Sequence, residues 1–199
     1  MTEGLVLASA SAVRARLLAA AGVDFRIEPA ELDETFLKQA CRAEGRLAAA
    51  CALALAEAKA RQVAARCGRA VIIGADQLLV CGEAWFDKPA DLGQARAQLQ
   101  ALRGHTHELV TAVCAVQGKS RLWHAVSSPR LTMRYFTDAF LDDYIRAEGA
   151  DIIGSVGAYR FEGRGAQLFE HIEGDYFAIL GLPLLELLGF LRMKGLILS

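Results

Sequence analysis

The sequence predicts a mixed α/β fold, in which part of the sheet is parallel and part is antiparallel. The first observation is an apolar run at 5–8 that is followed at once by a helical pattern, the strand–helix order of a parallel unit. The second is a pair of short strand patterns on either side of Gly82-Glu83, which is the spacing of an antiparallel hairpin. Because both connections occur in one chain, we expect a mixed sheet flanked by helices.

The first half of the chain shows alternating strand and helix patterns. Ser11 is a good N-cap for the first helix, because its side-chain oxygen can accept a hydrogen bond from the first turn. A short strand is predicted at 25–27. Residues 36–66 are rich in helix-forming side chains and predict one long helix or two. β-Branched residues predict a buried strand at 70–73 that ends in a turn at 74–76.

The second half continues after the hairpin with a helix at 91–102, for which Asp91 can serve as the N-cap. Two long strand patterns follow at 108–116 and 122–135, and Pro129 predicts a bulge or an edge position in the second. The remaining predicted elements are a helix capped by Thr137 that runs to about Glu148, a glycine-rich loop at 154–165, strands at 167–172 and 176–180, and a last helix with Pro183 in its first turn.

Composition sets broad limits on the kind of protein. Hydrophobic residues make up 54% and charged residues 23% of the 199 residues, which predicts a globular chain, and we expect a single domain at 1–199. The net charge of −1, from 22 basic and 23 acidic residues, argues against a broad nucleic-acid-binding surface. Any anion site must therefore be local.

The cysteines and the apolar segments indicate in which compartment of the cell the protein is found. The five cysteines are widely spaced and form no CxxC pair, which argues against a disulfide framework and against common zinc motifs. The N-terminal apolar run is too short for a signal peptide. The most apolar late segment, 178–191, contains Pro183 and Glu186 and falls short of a membrane span. We expect a cytoplasmic protein.

The start of the first helix is a candidate phosphate site. Backbone N–H groups, the hydroxyls of Ser9 and Ser11, and Arg14 would converge at the end of a strand. This is how a helix N-terminus becomes an anion site. An ordinary capped helix with solvated arginines explains the same residues, and these residues alone favour that simpler interpretation.

Acidic residues follow two of the predicted strands. Asp76 lies in the predicted turn after Gly74, where the end of a strand faces the usual ligand crevice of an α/β sheet. A turn aspartate that bonds its own backbone is an equally good interpretation. Asp33 and Glu34 could hold Mg²⁺ or Mn²⁺. The commoner use of such a pair is charge at a helix N-terminus.

Lysines and glycines add further candidates. Lys59 and Lys88 could neutralise phosphate, although lysines are usually solvated; Lys88 is the better candidate because it follows the hairpin. The glycine-rich loop would let the backbone approach a ligand, or it makes plain turns, and Arg160 and Arg164 are ambiguous. Histidines lack metal-type spacing, and no GxSxG motif is present. Carboxylates, cations and a helix N-terminus suit metal-assisted attack of water on a phosphoanhydride.

Seven short motifs occur in register over nearly the whole chain. They are LVLASAS…R at 5–14, LDE at 32–34, LAEAKA at 55–60, VIIGADQ at 71–77, DKP at 87–89, LRGHTHELVTAV at 102–113 and GAYRFEGRGAQLFEHIEGDYFAILGLPL at 157–184. Together they resemble the Maf family of nucleoside triphosphate pyrophosphatases, which is akin to the inosine-triphosphate pyrophosphatases. The resemblance implies an elongated mixed sheet with two lobes around a central cleft. It also implies hydrolysis of a nucleoside triphosphate to the monophosphate and pyrophosphate with a divalent metal, and a homodimer.

The resemblance also assigns residues to roles. Asp76 is the active-site acid that orients or deprotonates the attacking water, and Glu34 helps it hold the metal, Mg²⁺ or Mn²⁺. Phosphate binding falls to Ser9, Arg14, Lys59 and Lys88, and recognition of the base to Gln77 and Glu162.

Departures from the family pattern leave the base open. Val13 stands where many members carry a second arginine. Gln77 and Glu162 look like the branch that acts on 7-methyl-GTP, whereas GAY at 157–159 and GDY at 174–176 look like the branch that acts on dTTP and UTP. Two alternatives to this enzyme are a non-catalytic nucleotide-binding regulator of cell division and a sugar-phosphate or phosphomonoester hydrolase.

Overall fold

The computed structural model describes residues 4–198, so the ends of the predicted 1–199 domain lie outside the described residues. The described chain forms a mixed sheet of eight strands in the order β2-β1-β3-β5-β7-β8, with β4 paired to β3 and β6 paired to β5. The strands are β1 Leu5–Leu7, β2 Arg26–Ile27, β3 Val71–Cys81, β4 Ala84–Phe86, β5 Thr106–Gln117, β6 Ser120–Ser127, β7 Arg130–Met133 and β8 Phe169–Glu173. β1 runs parallel to β2 and β3, and the other pairs are antiparallel. The predicted mixed α/β fold is confirmed.

Helices flank this sheet. They are α1 Ala12–Ala20, α2 Glu34–Ala43, α3 Ala48–Ala64, α4 Leu92–Leu102, α5 Asp138–Glu148, α6 Tyr176–Ile179 and α7 Leu184–Met193, with 3-10 segments at Gly149–Gly154, Val156–Ala158 and Arg164–Leu168. The predicted caps are confirmed, since Ser11, Asp91 and Thr137 each accept a backbone N–H of the first turn. No helix within residues 4–198 combines the length and the apolar character needed to cross a bilayer.

The predicted turn at 74–76 is wrong, because β3 continues through these residues to Cys81. Asp76 lies in the middle of the strand, opposite Ala112 of β5. Gly74 marks a close approach of helix α3, not a turn. A Cβ atom at Gly74 would lie 2.9 Å from the Cβ of Ala60 and would clash with the carbonyl oxygen of Ala56.

Two later strand predictions also differ from the structure. The pattern at 122–135 divides at Pro129 into β6 and β7, because proline cannot donate to the ladder. The predicted strand at 176–180 is wrong, and the segment forms the short helix α6. The Asp175 carboxylate accepts hydrogen bonds from the backbone N–H groups of Phe177 and Ala178, at 3.2 and 2.8 Å, and this N-cap starts the helix.

Both faces of the central strands are buried. Ile72 points to the side on which α3 packs through Leu55, and Ile73 points to the opposite side, where α7 packs through Leu187. A third core cluster, which includes Leu99 of α4, joins α4 and α5 to β7. The strands that carry the candidate site are therefore held from both sides.

Candidate functional site

The predicted site residues come together in one cleft of about 880 Å³. Its walls come from the start of α1, the first turns of α2, the middle of α3 and β3, the loop after β4 and the 3-10 region. All eight of the predicted residues line it: Ser9, Arg14, Glu34, Lys59, Asp76, Gln77, Lys88 and Glu162. Residues far apart in the sequence thus share one concave surface, as a ligand site requires.

A buried lysine bridges the two predicted metal-binding carboxylates. Lys59 Nζ lies 2.5 Å from Asp76 Oδ1 and 2.8 Å from Glu34 Oε1. Asp76 and Lys59 are 4% and 8% exposed, respectively. The other carboxylate oxygen, Asp76 Oδ2, is buried without a hydrogen-bond partner in the described part of the chain. A buried acceptor without a partner is costly, so Oδ2 is suited to meet a ligand atom or a cation.

The two acids at the start of α2 lie in different surroundings. Asp33 is the N-cap, and its Oδ1 accepts the Phe36 N–H at 3.1 Å. Glu34 instead lines the cleft. Burial acts to raise the pKa of Glu34, but the positive charge and hydrogen bond of Lys59, helped by Lys38, outweigh it and lower that pKa. Glu34 is therefore a carboxylate at neutral pH.

Arg14 is fixed by groups from three parts of the chain. Its Nη1 donates to Ser9 Oγ at 3.1 Å and to the carbonyl oxygen of Ala75 at 3.0 Å, and its Nε donates to the carbonyl oxygen of Gly181 at 2.7 Å. Burial lowers the pKa of Arg14, against the opposing effect of nearby acids. The guanidinium group is thus held in one orientation at the N-terminal end of α1, where the predicted anion site lies.

The predicted base-reading residues have protein partners as well. Gln77 Nε2 lies 2.8 Å from Thr111 Oγ1 and 3.0 Å from the carbonyl oxygen of Ala178, which ties β3 to α6. Glu162 Oε1 accepts a hydrogen bond from Arg16 Nη2 at 3.2 Å. Both residues line the cleft, and their part in reading a base stays a prediction.

Lys88 lies in the loop after β4 and is exposed at the cleft. Among residues 4–198 it forms no ion pair and donates no side-chain hydrogen bond. Partial removal from water and the charges of Arg14 and Lys59 lower the pKa of Lys88, against the attraction of Glu34. A cation near other cations and without a partner is well placed to meet an anionic ligand.

Sequence reasoning missed Lys38, which also lines the cleft. Its Nζ lies 2.8 Å from Asp87 Oδ1 and 3.8 Å from Glu34 Oε2. The signal was present in the spacing, because Lys38 follows Glu34 by four residues on one helix face. Of the two ambiguous arginines, Arg160 lines the cleft, whereas Arg164 does not.

The donor set fits a divalent metal that shares its coordination with a substrate. No group of three or more potential His, Cys, Asp or Glu ligands lies together within residues 4–198. Asp76 and Glu34 supply two carboxylates, and Asp76 Oδ2 has no protein partner there. Mg²⁺ is often held by one or two carboxylates together with water and substrate phosphates.

A buried histidine supports one wall of the cleft. His107 is 1% exposed, and its Nε2 lies 2.8 Å from the hydroxyl oxygen of Tyr159, which lines the cleft. Burial lowers the pKa of His107 to about 4. Between about pH 4 and pH 6.5 the histidine is therefore neutral in the folded protein, although it would be protonated in the unfolded chain.

This burial predicts a loss of stability in mild acid. The contribution of His107 is complete above its ordinary pKa of 6.5 and is lost as the pH falls toward about 4. Between pH 7 and pH 5 we expect the free energy of unfolding to fall by about 2 kcal/mol because of this residue. Urea unfolding of the wild type and His107→Gln checks this. The free energy of unfolding of His107→Gln should depend less on pH than that of the wild type. His171→Gln, which changes an exposed histidine, should show the same dependence as the wild type. Parallel curves for His107→Gln and the wild type would contradict the prediction.

Comparison with known proteins identifies the family. A model of the Maf-like protein family matches residues 4–194. The chain belongs to the Maf-like protein family. It is 55% identical to a nucleoside triphosphate pyrophosphatase of Granulibacter bethesdensis, over 94% of this chain and 95% of the relative. It is 52% identical to a protein of the same name from Paramagnetospirillum magneticum, over 96% and 98% of the two chains. A 7-methyl-GTP pyrophosphatase of Rhizobium meliloti is 45% identical over 97% of each chain. The predicted family is confirmed.

Proposed function

We propose that this protein hydrolyses a nucleoside triphosphate to the monophosphate and pyrophosphate. The observation that carries the proposal is the buried Asp76, whose Oδ2 has no partner within residues 4–198 and which lies in a cleft lined by Arg14 and Lys88. An acid next to several cations suits attack of water on a phosphate chain. The relatives named nucleoside triphosphate pyrophosphatase and 7-methyl-GTP pyrophosphatase support the same reaction.

The chemical step follows from these positions. The Asp76 carboxylate orients the attacking water and takes its proton, and the oxygen of that water forms a bond to the α-phosphorus. The bond between the α-phosphorus and the bridging oxygen breaks, and pyrophosphate leaves with the electron pair. Arg14 and Lys88 stabilise the negative charge that develops on the phosphates, and Lys59 holds Asp76 and Glu34 in place. A divalent cation held by Asp76 and Glu34 would neutralise phosphate charge.

Two sets of residues favour different bases for the substrate. Glu162 is a carboxylate that could accept hydrogen bonds from the N1–H and 2-amino groups of a guanine, which favours 7-methyl-GTP. The resemblance of residues 157–159 and 174–176 to the family branch that acts on dTTP and UTP favours one of those two nucleotides. We propose to distinguish the two base preferences by measuring kcat/KM for each nucleotide.

The decisive experiment identifies the products. Purified protein is incubated with a nucleotide panel that includes 7-methyl-GTP, dTTP and UTP, with Mg²⁺, with Mn²⁺ and with EDTA. Release of pyrophosphate and a nucleoside monophosphate, lost in EDTA, is the expected result. Inorganic phosphate as the product would favour a phosphomonoester hydrolase. Tight nucleotide binding without turnover, unchanged in Asp76→Asn, would favour a non-catalytic regulator.

The family resemblance supports a homodimer, and the five widely spaced cysteines without a CxxC pair support a reducing compartment. We propose a homodimer and a cytoplasmic location. Light scattering of the purified chain tests the first, and fractionation of the source cells tests the second.

A further inference from the structure

The loop that carries Lys88 is tied to helix α2 at the edge of the cleft. Asp87 Oδ1 lies 2.8 Å from Lys38 Nζ, and the Lys38 side chain is 12% exposed. Lysine side chains are seldom so far withdrawn from water unless their charge is paired. The Lys38 ammonium is therefore held in place at the cleft by its ion pair, whereas a solvated lysine near a surface acid remains free to move.

Lys38 continues a row of alternating charges along the cleft. Its ammonium lies between Asp87 and Glu34 Oε2, and Glu34 Oε1 is in turn held by Lys59. From β3 outward the row consists of Asp76, Lys59, Glu34, Lys38 and Asp87. Lys38 thus connects Glu34 to the loop that follows β4.

Other contacts hold the same loop from outside the cleft. Arg42 Nη2 lies 3.7 Å from Asp87 Oδ2, and Gln98 Nε2 donates to the carbonyl oxygen of Asp87 at 2.9 Å. Of Lys38, Arg42 and Gln98, Lys38 alone lines the cleft. Lys88 has no ion pair within the described residues, so the position of its side chain depends on how this loop is held.

We propose that Lys38 is a positioning residue for the proposed hydrolysis, on which this inference rests. Lys38 holds Asp87 and thereby sets where the neighbouring Lys88 meets the triphosphate. Charge grows on the departing pyrophosphate in the transition state, so a displaced Lys88 weakens an interaction that is strongest there. A misplacement of about 1 Å can cost about 10²-fold in rate.

The test compares the kinetics of pyrophosphate release in Lys38 variants. Lys38→Met keeps the length of the side chain and removes its charge. We expect kcat to fall by about tenfold or more, with a much smaller change in KM. Lys38→Arg should recover most of kcat. If Lys38 acts through Lys88, the double variant Lys38→Met/Lys88→Met should be no slower than Lys88→Met alone.

A matched pair away from the cleft provides the control. Arg103 Nη2 lies 2.6 Å from Asp138 Oδ1, and the side chain of Arg103 is 17% exposed. Arg103→Met breaks a similar pair outside the cleft and should leave kcat unchanged. A Lys38→Met protein with wild-type kcat would overturn the proposal whatever its urea midpoint, as would losses that multiply in the double variant. A wild-type protein that releases no pyrophosphate would instead overturn the proposed function itself.

Discussion

Replacing Asp76 with asparagine is expected to lower kcat for pyrophosphate release by about 10³-fold. The asparagine keeps the size of the side chain and an oxygen that can accept the Lys59 hydrogen bond. It cannot take a proton from water, because the amide has no basic oxygen. The phosphate-binding groups Arg14 and Lys88 are unchanged, so nucleotide binding should change far less than kcat.

A control variant separates loss of chemistry from loss of an ion pair. Glu57 lies on the same helix as Lys59 and pairs with Arg61 and Arg121, but it does not line the cleft. Glu57→Gln should keep wild-type kcat. Single-turnover kinetics and calorimetric binding measure the two quantities for each variant. Wild-type turnover in Asp76→Asn would show that another group accepts the proton.

The site residues could be predicted because short motifs in a fixed order mark them. Ser9, Asp76 and Lys88 each belong to one of the motifs that resemble the family, and all three line one cleft. Local patterns did not reveal how the charges pair. Lys59 was expected to bind phosphate, yet it bridges two carboxylates that lie 25 residues before it and 17 residues after it in the sequence.

The errors in the fold also came from long-range contacts. Gly74 indicated a turn because glycine commonly interrupts strands, but its partner Cys114 lies in β5, and the approach of α3 explains why no side chain fits. The apolar run at 176–180 was too short for its pattern to distinguish helix from strand. The Asp175 cap decided in favour of a helix, and the cap could have been recognised from the sequence.

Removing the Lys59 charge is expected to destabilise the protein as well as inactivate it. Lys59→Met leaves Asp76, 4% exposed, without its ammonium partner. Breaking a buried pair in this way costs about 3–5 kcal/mol. Because Glu34 is partly exposed and can turn toward water, we expect the free energy of unfolding to fall by about 3 kcal/mol, measured with urea at neutral pH with EDTA present.

Lys88→Met is the matched comparison, because it removes a cation from the same cleft without breaking an ion pair. Lys88 is exposed, so its loss should change the free energy of unfolding by less than about 0.5 kcal/mol. It should still lower kcat/KM by about 10²-fold, because a phosphate-stabilising charge is lost. Added Mg²⁺ should raise the urea midpoint of Lys59→Met more than that of Lys88→Met, since a cation can then replace the missing ammonium between the two carboxylates. Equal stability of the two variants in EDTA would mean that Lys59 does not hold Asp76 and Glu34 together in solution.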